Sequence, residues 1–124
     1  MTTVHDRHAA HYGYSSQSGW LKNALFTFNL STNEWELTPY RHEQASTCFH
    51  NGILIPLNEH IITADQLFEQ LKTMQNRPGN TILPELLAQC DQTYFTPPHT
   101  TLLQLKGNLS KLQITSEDHF IPIV

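Results

Sequence analysis

PLNEHIITADQLFEQLKTMQNRPGNTILPELLAQCDQTYFTPP, Pro56 to Pro98, is the stretch that decides the fold. Thr63 is followed three residues later by Gln66, the spacing of a capping box, and Ile62 and Leu67 stand where a hydrophobic staple clamps a helix start. Ala64, Leu67, Phe68, Leu71 and Met74 recur at helical spacing, which predicts a helix over 64–75 with one apolar face. Asn76, Pro78 and Gly79 supply its stop. Thr81 to Cys90 (TILPELLAQC) reads as a second, shorter helix. Pro84 fits its first turn, and Leu83, Leu86, Leu87 and Cys90 share a face. Helices with one apolar face need a sheet to cover.

Upstream, ALFTFNL (Ala24 to Leu30) alternates cleanly and predicts a strand. Ser31-Thr32-Asn33-Glu34 is turn chemistry, and Trp35 to Tyr40 completes a hairpin. Gln44 to His50 reads as a third strand, ended by the turn dipeptide Asn51-Gly52, before the short apolar run Ile53 to Pro56. Downstream, Tyr94-Phe95 reads as a brief strand before Pro97-Pro98. Thr100 to Lys106 and Lys111 to Thr115 flank Gly107-Asn108-Leu109-Ser110 as a second hairpin, and Phe120 to Val124 closes on an apolar run. That ending reads either as a last edge strand or as the leading piece of a longer protein. Strands, then helices, then strands imply a single α+β domain over 20–124, an antiparallel sheet carrying the two helices. Residues 1–19 show no period and read as a flexible segment.

The chain has 124 residues, enough to bury roughly two-thirds of its unfolded surface without a disulfide or metal. Charged residues are only 15% and the net charge is −4, with 7 scattered Lys and Arg. That balance excludes a broad basic face for a phosphate backbone, so no nucleic-acid partner is expected. No membrane span and no secretory leader is visible, which together with Cys48 and Cys90 outside any paired motif implies a cytoplasmic protein with reduced thiols.

Chemistry-bearing residues are plentiful but unorganised in the sequence. There are 8 histidines. His5, His8 and His11 are spaced by three, yet successive steps of three drift around a helix and only Asp6 stands nearby, so the segment reads as solvated rather than metal-binding. His42, His50, His60, His99 and His119 are dispersed. Cys48 and His50 would project on one side of a strand, an arrangement that can activate a thiolate, but a base usually comes from elsewhere in a fold. Cys90 reads as core. Glu34 with Glu36, and Glu117-Asp118, read as solvated charge. No phosphate-binding or nucleophile-elbow motif is present. No cofactor, catalytic residue or metal ligand is therefore assigned. The aromatics Tyr12, Tyr14 and Trp20 and the Pro97-Pro98 loop are the candidate contacts for another protein, because large aromatics in polar surroundings make interface anchors.

Three tracts, in order, resemble the first part of the PRTRC system protein B family of plasmid-associated bacterial proteins, which are ubiquitin-conjugating-enzyme-like. They are the hairpin ALFTFNL…WELTPY, then Gly52-Ile-Leu-Ile-Pro56-Leu57 with the Thr63 helix, then Ile82-Leu-Pro-Glu-Leu-Leu-Ala88 with Tyr94-Phe-Thr-Pro-Pro98. Phe120 to Val124 is similar to the run before the family's conjugating-enzyme-like half. The sequence ends before that family's cysteine, and neither Cys48 nor Cys90 has its setting. The resemblance implies a non-enzymatic accessory or docking domain of a conjugation-like system. The rival expectations are a phage- or plasmid-borne inhibitor of a host enzyme, and an enzyme using Cys48 with His50 or a site assembled from the dispersed histidines.

Overall fold

The computed structural model describes residues 7–41, 47–77, 82–115 and 118–123. Its core element is the helix that the sequence marks most clearly, α1 (Ala64–Gln75). Thr63 accepts a hydrogen bond from the Gln66 N–H at 3.2 Å, and the Gln66 side chain accepts one from the Thr63 N–H at 3.1 Å. Ile62 and Leu67 are both buried in the same cluster, so the staple is closed as well. α2 (Leu83–Gln89) follows, with Pro84 in its first turn and Leu83, Leu86 and Leu87 buried.

Six strands make the sheet: β1 (Arg7–Ser15), β2 (Gly19–Asn29), β3 (Glu34–Pro39), β4 (Thr47–Leu57), β5 (Thr101–Leu105) and β6 (Ile121–Pro122). Their order is β3-β2-β1-β4-β5-β6. The fold is α+β, but the sheet is mixed. β1 runs parallel to β4, and the other pairings are antiparallel.

The expectation of a flexible 1–19 segment is corrected for Arg7–Ser15 by β1, which lies in the middle of the sheet between β2 and β4. Its sequence hides it because the side-chain alternation slips. Ala10 packs into one cluster, whereas Tyr12 and Tyr14 pack into the other. β2 slips in the same way between Trp20 and Ala24, where Asn23 takes a positive φ of 54°. Asparagine tolerates that left-handed backbone better than most residues.

Three smaller expectations are also corrected. Asn51-Gly52 is not a turn, since β4 runs through it. Gly52 has φ 100°, and a Cβ there would strike the Leu105 carbonyl and the Lys106 backbone, so the glycine lets β5 come close. Tyr94-Phe95 belongs to a 3₁₀ turn, Gln92–Phe95, capped by the Asp91 carboxylate accepting from the Thr93 N–H at 3.0 Å. The second hairpin does not form, and a single bridge joins Asn108 to Gln113. The segment docks on α1 instead: Ile114 N–H donates to Gln75 Oε1 at 2.8 Å, and Gln75 Nε2 donates to the Ile114 carbonyl at 2.9 Å. The third strand expected at 44–50 begins, among the described residues, at Thr47. The helix-stop residues Pro78 and Gly79 lie outside the described residues, as do His5, Asp6, His42, Glu117 and Val124.

The two faces of the sheet differ. α1, α2 and the 3₁₀ turn cover one, burying Leu67, Leu71, Leu86, Leu87 and Phe95 against Ile53, Ile55, Leu57, Leu103 and Leu105. The other face holds Ala10, Ala24, Phe26, Trp35, Leu37, Leu54 and Leu102. Among the described residues no helix covers it, and the sheet curls around it. In a flat sheet β3 and β5 would lie four strand spacings, about 19 Å, apart. Yet His99, two residues before β5, donates its N–H to the Asn33 carbonyl at 2.8 Å. Trp35 N–H in turn donates to His99 Nδ1 at 2.8 Å. Inside the curl the walls are close: a Cβ on Gly13 would sit 2.7 Å from Ala24 Cβ and 2.7 Å from Phe26 Cε2.

Candidate functional site

β3 is an edge strand, and an unpaired edge is a template for another chain. Its outward-facing positions follow from one hydrogen bond. Trp35 directs its N–H away from β2, to His99, so in an antiparallel ladder Leu37 and Pro39 face outward too. His99 seals Trp35, and Pro39 has no N–H to offer. Between them the Leu37 backbone turns toward a cleft of about 280 Å³.

The cleft runs along Glu34–Thr38, with the β1–β2 turn Ser15–Ser18 as one wall and Phe95 and His99 at the closed end. Ser16 Oγ donates to the Phe95 carbonyl at 3.4 Å, which ties the two walls together. Among the described residues the lining includes Glu34 and Glu36 and no Lys or Arg. The pair that the sequence presents as solvated charge therefore flanks a concave surface.

The residues marked from sequence as protein contacts are divided by the structure. Pro97 and Pro98 are exposed, immediately before His99. Tyr14 is not a surface anchor. It is 5% exposed, its ring meets Phe95 edge-on, and its hydroxyl donates to Gln92 Oε1 at 2.6 Å. Burial pushes its phenol above the usual range, against the lowering effect of that bond. Tyr12 and Trp20 are half-buried, with ring centroids 5.0 Å apart, on the helix-covered face. They cover the sheet. The loops beside these residues, rather than the aromatic rings, build the cleft.

A second constellation sits on the face away from the helices. β1 and β4 are parallel neighbours with His8 opposite Cys48 and Ala10 opposite His50. His8 Nδ1 and His50 Nε2 are 2.8 Å apart and their rings stack at 5.1 Å. Cys48 completes a group whose three potential ligand atoms all lie within 4.8 Å of one another. Trp35 meets the His8 ring edge-on at 5.4 Å. Burial pushes His50 below the usual histidine range. Sequence reading pairs Cys48 with His50 correctly but misses His8, because its strand is invisible in the alternation. Two imidazoles and a thiol so placed can chelate a transition metal.

Cys90 is core, as its place on the apolar face of α2 implies. It is 5% exposed, donates to the Leu86 carbonyl at 3.4 Å, and burial pushes its thiol up to about 11. His99 is buried and held by both ring nitrogens, so it is an architectural histidine. No helix among the described residues is long and apolar enough to cross a membrane. Comparison with protein-family models gives no match, and comparisons with curated proteins and with solved structures give none either.

Proposed function

We propose that this chain is a non-enzymatic protein-interaction domain that accepts an extended segment of a partner along the outer edge of β3. The observation that carries this reading is the cleft of about 280 Å³ beside Leu37, walled by the Ser15–Ser18 turn and by Phe95 and His99. An extended peptide laid there exchanges main-chain hydrogen bonds with Leu37, as in strand addition to a sheet edge. Glu34 and Glu36 favour a segment carrying Lys or Arg, and the chain's net charge of −4 steers it in. The same charge disfavours two copies pairing through β3, since like charges would be brought together. The resemblance to the PRTRC system protein B family adds a partner class, a component of a bacterial conjugation-like system, for which the domain would serve as a docking accessory.

The test is selection of peptides from a displayed random library on the whole chain, followed by mapping of amide shifts. Supporting results are basic extended peptides, shifts centred on residues 34–38 and 15–18, and loss of binding in Ser18→Trp and Glu36→Lys. Peptides that bind elsewhere, or that bind both variants as tightly as the parent, would refute the cleft as the docking site.

A further inference from the structure

We infer that His8, Cys48 and His50 form a zinc site with two nitrogen ligands and one sulfur ligand, tying β1 to β4. Geometry is the first support. The three potential ligand atoms already lie within 4.8 Å of one another across two paired strands. A tetrahedral zinc centre needs about 3.3 Å between nitrogens and about 3.6 Å between nitrogen and sulfur, given its usual bond lengths. His8 Nδ1 and His50 Nε2, now 2.8 Å apart, need to part by only about half an ångström. The sulfur lies no more than 4.8 Å from either nitrogen, so it has at most about 1.2 Å to close.

The backbone under the site is the second support. The parallel register sets His8 against Cys48, and His50 follows Cys48 by two residues on the same strand. Opposite His50 stands Ala10, whose small side chain leaves the imidazole room. His8 is 6% exposed and lies against Trp35, which limits its rotation. Cys48 and His50 are only half-buried, so an ion can enter from solvent. A ligand that arrives already ordered loses little conformational entropy on binding.

Chemistry selects the ion. Thiolate and imidazole suit zinc, and among the described residues the group contains no carboxylate of the kind magnesium or calcium prefers. The metal takes the place of the proton between the two rings: the ring that carries it shifts that proton to its own far nitrogen, where the other ring already holds its proton, so both near nitrogens offer a lone pair, and Cys48 releases its thiol proton to solvent. The described residues supply three ligands, and a tetrahedral zinc takes a fourth, which water can fill. None of the three ligands lines the β3 cleft, although Trp35 borders both sites, so zinc binding and peptide docking are read out by separate measurements.

The experiment uses the whole chain, purified without a histidine tag and stripped with a chelator. Zinc chloride titrated in should give one ion per chain by native mass spectrometry, with a Kd of about 1 µM or tighter. Cobalt in its place should show a sulfur-to-metal charge-transfer band. Cys48→Ser and His50→Ala should each weaken zinc at least about a hundredfold, beyond the loss from removing an outer partner. Cys90→Ser should leave it unchanged. On the unaltered chain, zinc should slow alkylation of Cys48 at least tenfold while leaving Cys90 as it was, a readout that needs no variant. Absence of zinc binding at 100 µM, zinc that fails to protect Cys48, or variants that keep full affinity would each overturn the assignment.

Discussion

The imidazole of His99 accepts the backbone N–H of Trp35 at 2.8 Å, and with the His99 N–H bond to the Asn33 carbonyl it closes the curl of the sheet. Because the Trp35 amide can only donate, His99 Nδ1 carries no proton. The proton is therefore on Nε2, which donates to the Phe95 carbonyl at 2.7 Å. The neutral ring is fully satisfied. A protonated ring has no acceptor left and must release Trp35.

Acid should therefore weaken the fold. Burial is the main influence holding His99 below its ordinary range, opposed by the Phe95 bond and by Glu34. The unfolded chain binds that proton near pH 6.5, earlier than the folded chain does. Stability from this group is complete above about pH 6.5, declines as the pH falls below it, and stops declining below the folded value. His50, also held low by burial, acts in the same direction. Urea midpoints between pH 8 and pH 5 should show the decline. His99→Phe should flatten part of it and lower stability at pH 8 by about 1–3 kcal/mol, chiefly through the orphaned Trp35 N–H. A variant profile superimposable on the parent's would remove His99 from the account.

Gly13→Ala should cost about 1–3 kcal/mol by overpacking the inside of the curl. The added methyl meets Ala24 Cβ and Phe26 Cε2, each at 2.7 Å, on the neighbouring strand β2. Pairing it with Ala24→Gly should recover part of the loss. Thermal melts check this, and an unchanged Tm in Gly13→Ala would mean that the inner wall yields.

Thr63→Ala should lower stability by about 1 kcal/mol, since one arm of the capping box is lost at an exposed position where no cavity is opened. Thr63→Ser should be close to neutral. Chemical denaturation of the three proteins decides it; equal midpoints for Ala and Thr would show that tertiary packing alone holds the start of α1.

Tyr14→Phe and Gln92→Leu should be coupled. Gln92 Oε1 accepts the Tyr14 hydroxyl at 2.6 Å while its Nε2 donates to the Leu87 and Cys90 carbonyls, each at 2.9 Å, which caps the end of α2. Tyr14→Phe should cost about 1 kcal/mol, Gln92→Leu more, and the pair less than their sum. Strict additivity in a double-mutant cycle would show the bond to be energetically idle.

Local signals carried through where they were strong. α1 spans Ala64–Gln75 as its periodicity and cap imply, and the hairpin of β2 and β3 lies where ALFTFNL and the turn residues place it. The signals failed where tertiary contacts overrode them. β1 has no period because its alternation slips at the matched irregularity with β2. Lys111 to Thr115 has strand composition, but Gln75 offers its backbone a better pair of hydrogen bonds than β5 does. Of the candidate sites, the proximity of Cys48 to His50 was legible; Pro97 and Pro98 are exposed beside His99 but do not line the cleft. The cleft was not legible, because its walls come from segments remote in sequence.

What the sequence determined alone was the set of elements whose causes are local: a capped helix with one apolar stripe, a proline-started second helix, a hairpin and an α+β content. Such features depend on residues within about a turn or a cross-strand neighbour of each other. Only the tertiary structure decided that β1 enters the centre of the sheet, that it lies parallel to β4, and that the sheet curls until His99 reaches Trp35. Those are pairings between distant segments, chosen by which arrangement satisfies backbone groups and buries apolar area together. It is that choice, and nothing in the spacing of histidines along the chain, that sets His8 beside Cys48 and His50.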